Sequence, residues 1–219
     1  MLDRLVSLIA PHECLDCQAE GSLLCSDCQS LVVAIPERCY KCFALSPESL
    51  TCQKCRRSSP LTSVQAATMY GGITKDLIWR LKFHHARAAV DPMAKLIANR
   101  LLFDESSVLV PIPTATSRVR QRGYDQAELL CRAVSRQTTL PYRMLLQRHG
   151  QSRQVGTTKA ERLEHLASAF RVPATQTVAG KHIVLIDDVL TTGATLESAA
   201  RVLKRAGAKR VDAIVFAQA

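Results

Sequence analysis

Residues 184–196, VLIDDVLTTGATL, open as an apolar run and change character at two adjacent carboxylates. Val184, Leu185 and Ile186 suit the interior of a sheet. Asp187 and Asp188 then end the strand, and Thr191, Thr192, Gly193, Ala194 and Thr195 lead into a helix. Uncompensated acids at a core edge are costly, so a cation or a polyol should meet them there. Backbone N–H groups at a helix start, with three threonine hydroxyls beside them, can cradle a phosphate. Gly193 lacks a Cβ, so the backbone there can approach an anion closely. The acids suit sugar hydroxyls or a magnesium ion next to that phosphate. Phosphate and polyol held side by side describe a ribose 5-phosphate. A strand, an aspartate N-cap and a threonine-rich first turn would need only one carboxylate and one hydroxyl. GxxxxGK[ST] and GxGxxG are both missing, so P-loop and dinucleotide readings lack their residues.

A second set of chemical groups lies at the other end of the chain. Eight of the nine cysteines form four pairs of one spacing: Cys14 and Cys17, Cys25 and Cys28, Cys39 and Cys42, Cys52 and Cys55. Each CxxC knuckle offers two thiolates to one cation, and two knuckles complete a tetrahedral four-sulfur site. The eight thiolates predict two structural zinc ions, because a closed four-cysteine site keeps no open position for chemistry. Disulfides would need an oxidising compartment, and a thioredoxin-like role would need one CxxC, not four in tandem. Joining neighbouring knuckles leaves loops of seven residues (18–24) and nine residues (43–51), while interleaving them leaves 21 and 23. The sequential pairing makes a tandem repeat and is the preferred one. His12 reads as a surface side chain, and Cys131 as a small buried residue.

These groups need elements to position them. Strands are expected at 64–70, 107–113, 169–172, 182–187 and 210–217, and helices near 73–84, 91–102, 125–137, 158–166 and 194–206. Ile73, Leu77 and Leu81 mark one helical stripe, and Trp79 and Phe83 broaden it into a face packed on the sheet. Strands alternating with helices predict an α/β fold, a mostly parallel sheet with helices on both faces. Ligands in such folds bind beyond the carboxyl ends of the strands, which is where the acids and threonines fall.

The chain has 219 residues, enough for one full domain and a small satellite. Residues 1–60 carry a balance of −1 and residues 61–219 a balance of +11. The junction RRSSPL (56–61) therefore divides a cysteine module, 1–60, from a basic domain, 61–219. The excess of cations fits phosphorylated small molecules or nucleic acid. Aromatic residues are 5% of the chain, which gives little sign of a base-stacking platform. No apolar run reaches the length of a membrane span. The start, MLDRLVSLIAPHE, reads as a short amphipathic helix and not a signal peptide, so a cytoplasmic location is expected.

VLIDDVLTTGATL resembles the motif by which type I phosphoribosyltransferases bind 5-phosphoribosyl 1-pyrophosphate (PRPP). The segments WRLKFHHARA (79–88), VPIPTATSRVRQRGYDQAELL (110–130) and RQVGTTKAERLEHLASAF (153–170) are similar to segments of the ComF/GntX family. That family joins a double zinc ribbon to a phosphoribosyltransferase domain, and the likeness spans nearly the whole chain. Asp125 and His165 depart from it, each standing where the family commonly has asparagine. The resemblance implies that Asp187 and Asp188 face the ribose hydroxyls and magnesium, and that residues 191–195 hold the 5-phosphate. It also implies that Arg118, Arg120 and Arg122 meet the pyrophosphate, with Arg148, Arg153, Lys159 and Arg162 on or near a loop that closes over PRPP. The cofactors implied are Zn2+ and Mg2+ with PRPP. The implied role is in DNA uptake or DNA utilisation, with single-stranded DNA and other DNA-uptake proteins as partners. An active pentosyl transferase with an unnamed acceptor, or a PRPP-sensing regulator without turnover, would carry the same motif.

Overall fold

The computed structural model describes residues 11–103, 105–149, 169–174 and 176–219. Among these residues six strands are present: β1 (Val64–Met69), β2 (Ser107–Pro111), β3 (Gln147–Arg148), β4 (Phe170–Arg171), β5 (His182–Leu190) and β6 (Arg210–Gln218). The helices are α1 (Ser26–Ser30), α2 (Gln53–Arg56), α3 (Gly72–Phe83), α4 (Val90–Arg100), α5 (Thr116–Arg122), α6 (Gln126–Thr138) and α7 (Ala194–Arg205). Four strands make a parallel sheet in the order β1–β6–β5–β2.

Alternation along the central strands gives the sheet two apolar faces. Val184, Ile186, Ile214 and Phe216 point to one, where Leu77, Ile78 and Leu81 of α3, Met93 and Ile97 of α4, and Leu130 and Val134 of α6 cover them. Ile183, Leu185, Val211, Ala213 and Val215 point to the other, covered by Leu196, Ala199, Ala200 and Leu203 of α7. Each fully buried leucine or isoleucine contributes roughly 1.5–3 kcal/mol, so these two layers hold the sheet rigidly beneath its loops. Cys131 is buried in the first layer, as its neighbours Leu129 and Leu130 imply.

Four expectations change. The main strand does not stop at Asp187: β5 runs on to Leu190, because β6 extends to Gln218 and supplies backbone partners past both acids. Residues around 170 join β3 in a separate antiparallel ribbon and stay out of the main sheet. The arginine-rich stretch after Pro113, which falls in none of the expected helices, is helical, as α5. Trp79 and Phe83 do not pack on the sheet; they are 49% and 58% exposed. The buried side of α3 is Thr74, Leu77, Ile78 and Leu81, and Trp79 and Phe83, one turn apart, lie off that stripe. The helices expected at the N-terminus and at 158–166 lie outside the described residues.

The cysteine-rich segment shares both layers. Cys14, Leu23, Leu24 and Cys28 belong to the α3–α4 layer, and Ile35, Tyr40 and Leu61 to the α7 layer. The Arg100 guanidinium donates to the Ile35 carbonyl at 2.6 Å, and Leu50 bridges to Ser63 just before β1.

Candidate functional site

β2 ends at Pro111, opposite Ile186 of β5. Asp187 and Asp188 therefore lie one step past the carboxyl end of a neighbouring strand, at the crevice where parallel sheets receive ligands. Successive strand residues point to opposite faces, and this separates the two acids. Asp188 turns toward α3 and α6 and is 5% exposed. Lys82 Nζ is 2.7 Å from its Oδ1, Gln126 Nε2 donates to its Oδ2 at 3.2 Å, and Arg122 donates to Gln126 Oε1 at 2.6 Å. Asp187 is half-buried and accepts the Asp188 backbone N–H at 2.8 Å. Burial and then the Asp188 carboxylate push Asp187 from 3.8 up to about 8, against the pull of that N–H and of Lys82. Asp188 is paired from inside the fold, while among the described residues Asp187 makes no ion pair and accepts only a backbone N–H. A polyol or cation from outside would supply a partner.

Past β5, Thr191 and Thr192 are exposed, and Gly193 caps α7 with φ +76, a left-handed conformation that favours glycine. The Ala194 N–H reaches Thr192 Oγ1 at 3.4 Å. Beneath the loop sits Tyr40, from between Cys39 and Cys42: a Cβ on Gly193 would lie 2.9 Å from Tyr40 Cε2. The Tyr40 hydroxyl donates to Glu197 Oε1 at 2.7 Å and lies 2.6 Å from Ser59 Oγ. Lys41 Nζ is 2.9 Å from the same Glu197 oxygen, and Arg201 holds Oε2 at 2.6 Å. Burial pushes the Glu197 carboxyl up, but the hydrogen bonds from Lys41 and Tyr40 outweigh it, so the group is held below its ordinary range.

Of the three arginines expected at the pyrophosphate, Arg118 and Arg120 are exposed on α5. Arg122 is buried, bonded to Gln126 and stacked 5.6 Å from the Phe83 ring. Burial and then Arg118 lower the Arg122 and Arg148 guanidinium groups, while Asp188 and Asp187 respectively pull them back. Arg122 is thus within electrostatic reach of Asp188 and Arg148 of Asp187, and Arg118 acts on both arginines. Asp125 caps α6 through Ala127 N and Glu128 N, and its other oxygen takes the Thr114 N–H at 2.9 Å. An asparagine there would offer one acceptor oxygen instead of two. Arg153, Lys159, Arg162 and His165 lie outside the described residues.

Lys82, Gln126, Tyr40 and Glu197 were not foreseen as site residues. Lys82 and Gln126 lie within the resembling segments, but nothing in their spacing announces a partner more than sixty residues away in the chain. Trp79, Phe83 and His84 form a further exposed group, with ring centroids 4.1 Å apart for Trp79–His84 and 6.2 Å for Trp79–Phe83.

The cysteines gather in sequence: Cys14, Cys17, Cys25 and Cys28 form one cluster, and Cys39, Cys42, Cys52 and Cys55 the other, each with sulfurs within 4.8 Å. Sulfurs of Cys17 and Cys25 are 3.6 Å apart, as are those of Cys42 and Cys52. Tetrahedral Zn–S bonds of about 2.3 Å place sulfurs about 3.8 Å apart, so both donor sets fit zinc. His12 is exposed and belongs to neither cluster. Burial opposes ionisation of Cys14 and Cys39, yet backbone N–H groups around each sulfur bring both thiols down to about 6. In the same clusters Cys28 is pushed up by the neighbouring Cys17 thiol and Cys55 by burial, so a metal would have to displace their protons. Elemental analysis of the purified chain should find two zinc ions per molecule, and Cys17→Ser should remove one.

A phosphoribosyl transferase domain model matches residues 91–219, more than half of the chain. The chain belongs to that family. Competence protein ComFC of Streptococcus pneumoniae is 31% identical over 200 residues, covering 88% of this chain and 86% of the relative. ComFC of Bacillus subtilis is 29% identical over 195 residues, covering 84% and 79%. DNA utilization protein YhgH of Escherichia coli K12 is 27% identical over 228 residues, covering 94% and 96%. These relatives match across both the cysteine segment and the sheet, which makes the chain a ComF-type member of the family. Among the described residues, no helix is long and apolar enough to cross a membrane.

Proposed function

We propose that this protein binds PRPP with magnesium and works in DNA uptake or DNA utilisation, as the names of its relatives indicate for them. The observation that carries the PRPP reading is the placement of Asp187 beyond β2, without an ion-pair partner among the described residues, with the left-handed Gly193 loop at the end of the same strand. Asp187 would take the ribose hydroxyls and residues 191–195 the 5-phosphate. Arg118, with Arg122 and Arg148 behind it, would face the pyrophosphate. The module boundary at residue 60 belongs to this proposal: the cysteine segment supports the site and the basic domain holds the ligand.

If turnover occurs, an acceptor nitrogen attacks C1 of the ribose, the C1–O bond to pyrophosphate breaks, and the nitrogen's proton passes to solvent. Magnesium would supply charge to the departing pyrophosphate. The arginines would add preorganised positive charge at the same place. Calorimetric titration with PRPP and magnesium should give one site per chain, and absence of binding would overturn the reading. Pyrophosphate release over a panel of bases, with and without single-stranded DNA, separates a transferase from a PRPP-binding regulator.

One observation favours a nucleic-acid partner. Trp79 and Phe83 on α3 and His84 at its C-cap are exposed together, with Arg80 and Arg87 also exposed and Arg122 stacked on Phe83. Aromatic faces among arginines suit unpaired bases and their phosphates, and each stacked base is worth about 1–3 kcal/mol. Trp79→Ala should therefore weaken single-stranded DNA binding roughly tenfold by fluorescence anisotropy. The affinity should also fall steeply with salt, and a flat salt response would count against the partner.

A further inference from the structure

The second cysteine cluster reaches the phosphate loop directly. Tyr40 and Lys41 occupy the two positions between Cys39 and Cys42, so zinc on those sulfurs would fix the backbone that carries them. At its far end the Tyr40 ring is pinned by Glu197 and Ser59, and its edge closes the space under Gly193. Glu197 is 8% exposed, and its N–H donates to the Gly193 carbonyl at 2.9 Å in the first turn of α7. An unpaired carboxylate there would repel an anion at the helix start. Lys41 and Arg201 pair with it, and Tyr40 donates a hydrogen bond to it.

We infer that Tyr40 and Lys41 are positioning residues for the 5-phosphate loop, and that zinc in the second cluster and phosphate at Gly193 bind cooperatively. This rests on the PRPP reading of the site. Tyr40 sets the shape of the loop from below, and Lys41 removes a negative charge that would oppose the ligand. The first cluster has no comparable part: Cys14 and Cys28 pack in the α3–α4 layer on the other face of the sheet. By linkage, what zinc does for phosphate affinity, phosphate does for zinc affinity.

The test uses the full zinc-loaded chain and two ligands that divide the site, ribose 5-phosphate and magnesium pyrophosphate, alongside PRPP. Tyr40→Ala and Lys41→Ala should each weaken ribose 5-phosphate and PRPP about tenfold, in the range of typical site-to-site coupling. Magnesium pyrophosphate affinity should stay unchanged, with two zinc ions retained. Tyr40→Phe keeps the ring under Gly193 and should recover most of the loss. Lys54→Ala, an exposed lysine between Cys52 and Cys55, should change nothing. PRPP should slow chelator-driven zinc release from the second cluster and not from the first. Equal losses for ribose 5-phosphate and pyrophosphate would overturn the inference, as would unaltered variants in a protein whose wild type binds PRPP. A wild type that binds none of the three would overturn the PRPP reading itself, and the coupling with it.

Discussion

Asp187→Asn should weaken binding of PRPP with magnesium by about 100-fold or more while leaving the free protein at least as stable as wild type. On the proposed PRPP reading, the affinity loss follows from removing the carboxylate that would accept two ribose hydroxyls: charged hydrogen bonds contribute roughly 1.5–3 kcal/mol each, and about 1.4 kcal/mol is tenfold. The stability gain follows from the sign of the proton linkage. The native state keeps its Asp187 proton up to about pH 8, whereas an ordinary aspartate releases it near 3.8. Between those values the native state binds more protons than the unfolded chain, so stability falls as pH rises. Asparagine abolishes that fall, and a gain of even 1 kcal/mol would raise Tm by about 2–4 °C in a chain of this size. Ligand binding runs the other way in the wild type, because magnesium and ribose take the carboxylate form; affinity should climb toward pH 8 and level off above it. Thermal unfolding across about pH 5 to pH 9, with and without ligand, checks both signs. A wild-type stability that rises steadily with pH would show that Asp187 is not held protonated.

Asp188→Ala should behave differently, as a folding defect. The carboxylate is buried between Lys82 on α3 and Gln126 on α6, and removing it strands an ammonium and an amide at the centre of the site. Breaking a fully buried pair costs about 3–5 kcal/mol. The Lys82 side chain keeps 19% exposure, so about 2–3 kcal/mol is expected. That corresponds to a drop in Tm of about 4–12 °C. Lys82→Met combined with Asp188→Ala should recover part of the loss, because it replaces the stranded charge with an apolar chain of similar length. A double mutant no more stable than Asp188→Ala would show that the pair contributes little. Lost PRPP binding in Asp188→Ala alone thus mixes two causes, and Asp187→Asn separates them.

The two acids also show how far the sequence could be read. Their adjacency and the threonine–glycine run behind them are local features, and the sugar-phosphate reading proposed for them rests on those features before any fold is known. Their division of labour was not legible. It depends on strand alternation continuing through residue 190, which depends in turn on β6 being long enough to pair that far. The same holds for Trp79 and Phe83, whose spacing on α3 fits a core face and whose exposure follows from which side of the helix the sheet takes up.

By itself the sequence determined the donor sets: CxxC spacing gathers thiolates suited to a metal, and the DD–TTGAT run gathers groups suited to a phosphorylated sugar, because both depend on donors held within a few residues of one another. It determined the layered α/β architecture too, since apolar periodicity is set by backbone repeat alone. Only the tertiary structure decided which knuckles gather into one cluster, which acid is paired, and which side chains stand under the Gly193 loop. Lys82 meets Asp188 across 106 positions of chain, and Tyr40 meets Glu197 across 157. Contacts of that separation follow from how helices and knuckles pack on a sheet, and short-range spacing carries no record of that packing.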